Sequence, residues 1–161
     1  MADTKNSAAI LDQFVRELKS SPFVMIGLDD TPDHSQPMTA QLLDDDMHCW
    51  WFFTSRTNRL SIGGPAMAQF VAKGHDFFAC VHGSLSEDND REMIDKLWSN
   101  QVAAWFPGGK DDPDLLLLRY DLESGEMWKA DAGLVSAVTQ VFGGLLGQTE
   151  KPDAEHAEMP L

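Results

Sequence analysis

Short apolar runs separated by tight polar turns are the feature that most constrains the fold of this chain. Phe23–Leu28 is followed by an Asp-Asp-Thr-Pro-Asp turn at 29–33, and Pro37–Leu43 is followed by three aspartates at 44–46. Met47–Phe53 then begins directly. Antiparallel neighbours can be joined by a few residues, whereas a parallel connection needs a crossover of a dozen or more. The pattern therefore predicts an antiparallel meander rather than βαβ units.

The rest of the chain continues this pattern and adds helices at its periphery. Ile10, Phe14 and Leu18 recur at helical spacing and predict an N-terminal amphipathic helix. Asn89 and Glu92 have the spacing of a capping pair and predict a second, inserted helix. About seven short strands with peripheral helices fit a small antiparallel barrel of the mainly β (α+β) class. The remaining predicted elements are strands at 66–72, 77–85, 115–122 and 126–130, a turn at 123–125 that joins the last two as a hairpin, and a helix at 134–146.

The continuous apolar run at Leu115–Leu118 predicts a strand that is covered on both faces. One small barrel does not readily cover both faces of a strand. We therefore expect a dimer interface to cover the second face.

Length and composition favour a single domain. The chain has 161 residues, of which 43% are hydrophobic, and this is enough to bury a sizeable core. From Thr149 onward the composition is acidic and contains proline, which predicts a flexible acidic tail over residues 149–161 after a domain of residues 1–148. Cys49 and Cys80 lie in apolar runs without CxxC spacing, so we expect buried reduced thiols.

The chain is strongly acidic, with a formal net charge of −14. Its surface repels nucleic acids and anionic membranes, so neither is an expected partner. The N-terminus lacks the apolar core of a signal peptide, and no apolar window is long enough to span a membrane. We therefore expect a cytoplasmic protein. The negative field of the whole protein opposes the binding of an anionic ligand, so local groups have to hold such a ligand. Arginines in polar turns are therefore candidates for anion binding.

Such a turn follows the aromatic run Trp50–Phe53, which continues as Thr-Ser-Arg-Thr-Asn-Arg over residues 54–59. An apolar wall can receive a flat ring, and hydroxyls, backbone amides and guanidinium groups can hold a phosphate. Arg56 and Arg59 lie within one turn of each other, so both could reach the same anion. The alternative is a core strand that runs into a polar surface loop without a ligand.

Other motifs point to no catalytic or metal site. The histidines at 34, 48, 75, 82 and 156 do not show a metal-ligand spacing such as HExxH. No Gly-x-Ser-x-Gly elbow or cysteine-centred nucleophile signature is present. The aspartates at 111, 112 and 114 flank Pro113 and are read as turn formers rather than as a cation site. We therefore assign no metal ligand, general acid or general base.

Several segments together resemble the pyridoxamine 5′-phosphate oxidase-like split barrels, in the branch of general stress protein 26. The most specific segment is the loop Trp-Phe-Pro-Gly-Gly-Lys-Asp-Asp-Pro at 105–113. The others are Pro37–Gln41, Trp51–Ser55, Gly83 at the end of an apolar strand, Leu97-Trp98 and Glu126–Trp128, and all occur in the order of the family across residues 8–130.

The resemblance implies an antiparallel six-stranded split β-barrel that forms a homodimer, with FMN in a groove between the subunits. It implies that Thr54 offers a hydroxyl to the edge of the isoalloxazine ring, that Asn58 and Arg59 meet the phosphate, and that Trp128 packs against the flavin from the other subunit. Arg56 joins this set as a possible second cation. The cofactor-binding residues expected are Met38, Thr39, Ala40, Phe52, Phe53, Thr54, Ser55, Arg56, Asn58, Arg59 and Trp128.

Two positions depart from the pattern of the family. Gln36 stands where many relatives carry arginine, and Leu60 stands where many carry lysine. Each lost charge-assisted hydrogen bond to the phosphate costs about 1.5–3 kcal/mol, which Arg56 or Lys110 would have to offset.

The main functional hypothesis is an FMN-binding homodimer, which as an enzyme would be an FMN-dependent oxidoreductase with a stress-related role. The alternative is a non-catalytic dimeric stress or interaction protein with a degenerate cofactor site. A third interpretation keeps the fold with a haem, a deazaflavin or a pyridoxal phosphate-like vitamer, although no histidine is marked as a haem ligand.

Overall fold

A single curled antiparallel sheet carries most of the residues that the computed structural model describes, which are 4–130 and 154–161. The helix predicted at 134–146 lies outside the described residues. The strands are β1 Phe23–Leu28, β2 Gln36–Thr39, β3 Gln41–Leu43, β4 Asp46–Ser55, β5 Gly64–Val71, β6 Phe77–Glu87, β7 Leu115–Ala130 and β8 Ala154–Pro160. The helices are α1 Thr4–Ser20, α2 Arg91–Leu97 and α3 Asn100–Ala103, with 3₁₀ turns at Arg59–Ile62 and Gly109–Asp111.

The strands follow the order β2-β1-β5-β6-β7-β4-β3, and all neighbours are antiparallel. The edge of β7 that pairs with β4 over its first half pairs with β8 over its second half. The predicted split-barrel fold is confirmed. The sheet has eight strands because β2 and β3 are separated at Ala40 and because β8 is added.

Helix α1 packs its apolar face into the barrel, as its spacing predicts. Ile10, Phe14 and Leu18 are buried. The Phe14 ring lies 5.9 Å from Trp50 and 5.7 Å from Phe70 between ring centroids. Aromatic contacts of this kind bury large apolar areas, so α1 closes the main core rather than resting on it.

A second apolar cluster lies on the opposite face of β4 and β7. Leu115 and Leu117 pack there with residues of α2, α3 and the loop that follows, namely Ile94, Leu97, Val102 and Phe106. The prediction that Leu115–Leu118 is covered on both faces is therefore correct. The prediction that a dimer partner provides this cover is wrong, because the helices inserted between β6 and β7 provide it within the chain.

The predicted closing hairpin is a single strand of 16 residues, β7. His82 pairs with Ser124 and Gly83 pairs with Leu122, so Glu123 forms a β-bulge instead of a turn. The long strand β6 supplies backbone partners on both sides of the bulge, so the chain does not need to reverse. Gly83 is required here because a Cβ at that position would overlap the carbonyl oxygen of Asp121.

Two further local predictions differ from the structure. The N-cap of α2 is Asp90, whose carboxylate accepts from Glu92 N at 3.3 Å. Asn89 instead accepts a hydrogen bond from Leu117 N at 2.8 Å and ties the loop to β7. Residues 154–160, part of the predicted flexible tail, form β8 along β7, which satisfies their backbone groups.

Both cysteines are free thiols, Cys49 buried and Cys80 half-buried. Within residues 4–130 and 154–161, no helix is long and apolar enough to cross a membrane.

Candidate ligand site at the end of strand β4

Thr54, the penultimate residue of β4, is the one polar residue among the buried side chains of the described structure, with 8% of its surface exposed. Its hydroxyl makes no hydrogen bond with any described residue. A buried hydroxyl without a partner costs about 1–3 kcal/mol, and native structures rarely keep one without a reason. The Thr54 hydroxyl therefore identifies a position where a ligand atom is expected.

Three polar side chains join β2 to the turn that follows β4. Gln36 Nε2 donates to Asn58 Oδ1 at 3.0 Å, and Arg59 Nε donates to Gln36 Oε1 at 2.8 Å. Asn58 Oδ1 also accepts from Leu60 N at 2.9 Å and so caps the 3₁₀ turn at Arg59–Ile62. We call Gln36, Asn58 and Arg59 the amide–guanidinium cluster. It holds a positive charge at the open end of β4.

Arg56 and Arg59 have different partners, although their spacing predicts that both could reach the same anion. Arg56 Nη1 lies 3.1 Å from Glu87 Oε1. Arg59 has no carboxylate within ion-pair distance among the described residues. The charge of Arg56 is therefore offset, whereas the charge of Arg59 remains available to an anionic ligand in a chain that is otherwise strongly acidic.

Ser55 and Phe53 face away from Thr54, because successive side chains of a strand point to opposite faces. Phe53 packs edge-on against Trp98 at 5.8 Å between ring centroids, within the second apolar cluster. Ser55 Oγ donates to Asp114 Oδ1 at 2.8 Å. The carboxylate of Asp114 would repel a phosphate at this position, so the side chains of Phe53 and Ser55 do not join Thr54 in one pocket.

Phe52 shares the face of Thr54, but its side chain has no exposed surface and belongs to the main core. Ala40 is also buried there. On β2, Met38 is half-buried, with its sulfur 3.4 Å from Gln36 Nε2, and Thr39 is exposed. Met38 pairs with the buried Val24 and lies on the core face of β2, whereas Thr39 pairs with the exposed Phe23 and lies on the opposite face.

Trp128 lies towards the opposite end of β7 from this turn. Leu116 pairs with Thr54, and Trp128 comes twelve residues further along the strand, beyond the bulge at Glu123. Its side chain is 36% exposed. Phe78 pairs with Val71 on one side and with Trp128 on the other. The side chains of Trp128 and Val71 therefore lie on the same face of the sheet, and Val71 is 50% exposed.

Lys110 and the loop Trp105–Pro113 fold against α2. Lys110 Nζ forms an ion pair with Asp95 at 2.7 Å and lies 6.0 Å from the centre of the Trp98 ring. An open cleft of about 380 Å³ separates this loop from Arg56. Within the chain Lys110 is thus paired with Asp95 and Arg56 with Glu87.

No nucleophile or proton-transfer group is activated among the described thiols. Burial raises the pKa of Cys49 to about 11, with a further contribution from its hydrogen bond with Asp121. Burial also raises the pKa of Cys80. Both thiols are therefore protonated at neutral pH.

The sequence does not reveal that Gln36 contacts Asn58 and Arg59. A neutral residue at a position that is basic in many relatives indicates only the loss of a contact with the phosphate. The sequence also does not reveal Glu87 and Asp114 as the acids that engage Arg56 and Ser55. These acids lie 31 and 59 residues away from their partners. No local signal points to either pairing.

Comparison with known proteins gives one consistent result. The family model described as pyridoxamine 5′-phosphate oxidase like matches residues 10–153. The crystal structure of the general stress FMN/FAD binding protein from the phytopathogen Xanthomonas citri is 44% identical, with a TM-score of 0.74, over 79% of this chain and 93% of that chain. The structure of a protein assigned to general stress protein 26 from Jannaschia sp. CCS1 is 29% identical, with a TM-score of 0.76, over 96% and 99% of the two chains.

General stress protein 26 of Bacillus subtilis (strain 168) is 36% identical over 55 residues, which are 34% of this chain and 39% of that protein. The match thus spans about two fifths of the curated relative. The range of the family match includes every candidate residue from Met38 to Trp128.

Proposed function

This chain belongs to the pyridoxamine 5′-phosphate oxidase-like family, and from that premise we propose that it binds FMN at the end of β4 as a homodimer and acts as a flavin-dependent oxidoreductase with a stress-related role. The observation that carries the proposal is the buried hydroxyl of Thr54, which has no hydrogen-bond partner among the described residues. The description of the Xanthomonas citri protein as FMN/FAD binding supports it.

The residues at the end of β4 fit the two halves of this cofactor. The Thr54 hydroxyl and the side chain of Met38 meet the ring, Thr39 contributes backbone groups, and Ala40 and Phe52 form the packed layer behind them. Phe53 and Ser55 contribute only backbone groups. Asn58 and Arg59 meet the phosphate.

Flavin, when bound, supplies hydride or electron transfer, and this chain supplies the binding and orientation. A charge-assisted hydrogen bond from Arg59 to the phosphate contributes about 1.5–3 kcal/mol.

A second copy of the chain completes the groove in this proposal. Trp128 lies towards the opposite end of β7 from the residues that pair with the end of β4, and we therefore assign the cover of the flavin to Trp128 of the partner subunit. The exposed apolar side chains on the same face of the sheet as Trp128 support an interface there, because contiguous apolar surface favours association. These side chains are Phe23, Met25 and Val71, with 61%, 42% and 50% of their surfaces exposed.

The test is an FMN titration, followed by quenching of flavin fluorescence, with Arg59→Ala and Arg56→Ala as a matched pair. We expect Arg59→Ala to weaken FMN binding by about 10- to 100-fold. We expect Arg56→Ala to have little effect, because Glu87 already offsets its charge. Equal losses of FMN affinity in the two variants would contradict the assignment of Arg59, rather than Arg56, to the phosphate. If the dissociation constant of wild-type protein for FMN is millimolar or weaker, FMN is not its ligand.

One observation favours the second candidate, a non-catalytic dimeric stress or interaction protein. Leu60 has only 1% of its surface exposed and belongs to the main core, so the position that is basic in many relatives supplies no group to a phosphate here. Size-exclusion chromatography with a flavin spectrum separates the two candidates. A dimer that is colourless and does not take up added FMN supports the non-catalytic protein, and a dimer that retains flavin supports the cofactor-binding one.

A further inference from the structure

Gln36 occupies a central place in the amide–guanidinium cluster. Arginine can only donate hydrogen bonds, so the atom of Gln36 that faces Arg59 Nε is its oxygen Oε1. The amide nitrogen Nε2 must then face Asn58 Oδ1, which also accepts from Leu60 N. The donors and acceptors of these three hydrogen bonds therefore agree with one another. They fix which atom is oxygen and which is nitrogen in the side-chain amides of Gln36 and Asn58.

This arrangement turns the remaining donors of the cluster away from the protein. The Asn58 amide nitrogen and both Nη groups of Arg59 have no partner within the part of the chain that the structure describes. These donors match the acceptor oxygens of a phosphate. Gln36 itself lies on β2, where its backbone pairs with Ile26, so it holds the cluster from a strand rather than from a loop.

We propose that Gln36 is a positioning residue that fixes Asn58 and Arg59 as one anion-binding unit and thereby sets the preference of the site for phosphorylated over unphosphorylated flavin. The inference rests on the proposed function. Holding a long guanidinium side chain in its bound orientation before the ligand arrives lowers the entropic cost of binding. A neutral amide does this without cancelling the charge, whereas the carboxylate of Glu87 offsets the charge of Arg56.

The measurement is the ratio of the dissociation constants for riboflavin and FMN. We expect Gln36→Met, which keeps the length of the side chain and removes its hydrogen bonds with Asn58 and Arg59, to lower this ratio about tenfold. The dissociation constant for riboflavin should stay unchanged, because riboflavin has no phosphate. Gln36→Glu should lower the ratio further, because a carboxylate would offset the charge of Arg59. Gln101→Met, at an exposed position on α3, is the control and should leave both constants unchanged.

A double-mutant cycle tests whether Gln36 acts through Arg59. We expect Gln36→Met to lower the ratio less in the Arg59→Ala background than in wild type, because only the contact with Asn58 then remains to be lost. Additive losses, an unchanged ratio in Gln36→Met, or an equal loss of riboflavin and FMN binding would each overturn the inference. If wild-type protein binds FMN and Gln36→Met keeps its ratio, only the inference fails. If wild-type protein binds neither flavin, the proposed function and the inference fail together.

Discussion

Replacement of Thr54 by valine should change stability and FMN binding in opposite directions. Valine has nearly the shape of threonine and replaces the hydroxyl, which is buried and makes no hydrogen bond with a described residue, by a methyl group. Removing an unsatisfied buried hydroxyl recovers part of a desolvation cost of about 1–3 kcal/mol. We expect the free energy of unfolding without flavin to rise by about 1 kcal/mol, which corresponds to about 2–4 °C in melting temperature for a domain of this size.

The same substitution should weaken FMN binding by about 2- to 10-fold, the value of one neutral hydrogen bond to the ring. Thermal unfolding of the flavin-free protein measures the first effect, and fluorescence titration measures the second. Thr57→Val is the matched control, because Thr57 Oγ1 is exposed and lies 2.8 Å from Ser55 Oγ. A Thr54→Val protein that is less stable than wild type, or that binds FMN equally well, would refute the interpretation of this hydroxyl as a ligand group.

Three other substitutions or conditions test the fold and the assembly. Val71→Glu puts a charge on the exposed apolar face of the sheet. We expect this variant to elute as a monomer on size-exclusion chromatography and to lose FMN. An unchanged elution volume would argue against a dimer interface on that face. Gly83→Ala forces a Cβ against the Asp121 carbonyl and should destabilise the protein by about 2 kcal/mol or more in urea unfolding. Burial raises the pKa of Cys49 from 9.0 to about 11, and burial also raises the pKa of Tyr120 above 10.0. Since a raised folded pKa favours the protonated form, the contribution of these two groups to stability is fully present below pH 9 and is lost as the pH rises towards 11, and Cys49→Ala should show a smaller loss over this range.

The strands that the sequence predicts well are those bounded by acidic or proline-containing turns. Phe23–Leu28 has the same bounds in the prediction and in the structure, because Ser-Ser-Pro precedes it and an acidic turn follows it. The prediction fails at Glu123-Ser124-Gly125, whose composition is typical of a turn. These residues stay in β7 because β6 continues beside them, and a strand that keeps its backbone partners can absorb one extra residue as a bulge.

Local patterning by itself determined that this chain forms an antiparallel barrel closed by an amphipathic helix, because the alternation of apolar residues and the length of the turns act over neighbouring residues. It also singled out the turn at residues 54–59 as the candidate ligand-binding turn. Only the tertiary structure decided which groups of that turn are available. Arg56 and Arg59 are equivalent in sequence, yet Glu87 on β6 offsets one of them and Gln36 on β2 orients the other. The curl of the sheet brings Glu87 to Arg56 and Gln36 to Arg59. These contacts join residues that are far apart in the sequence, so no local sequence pattern predicts them.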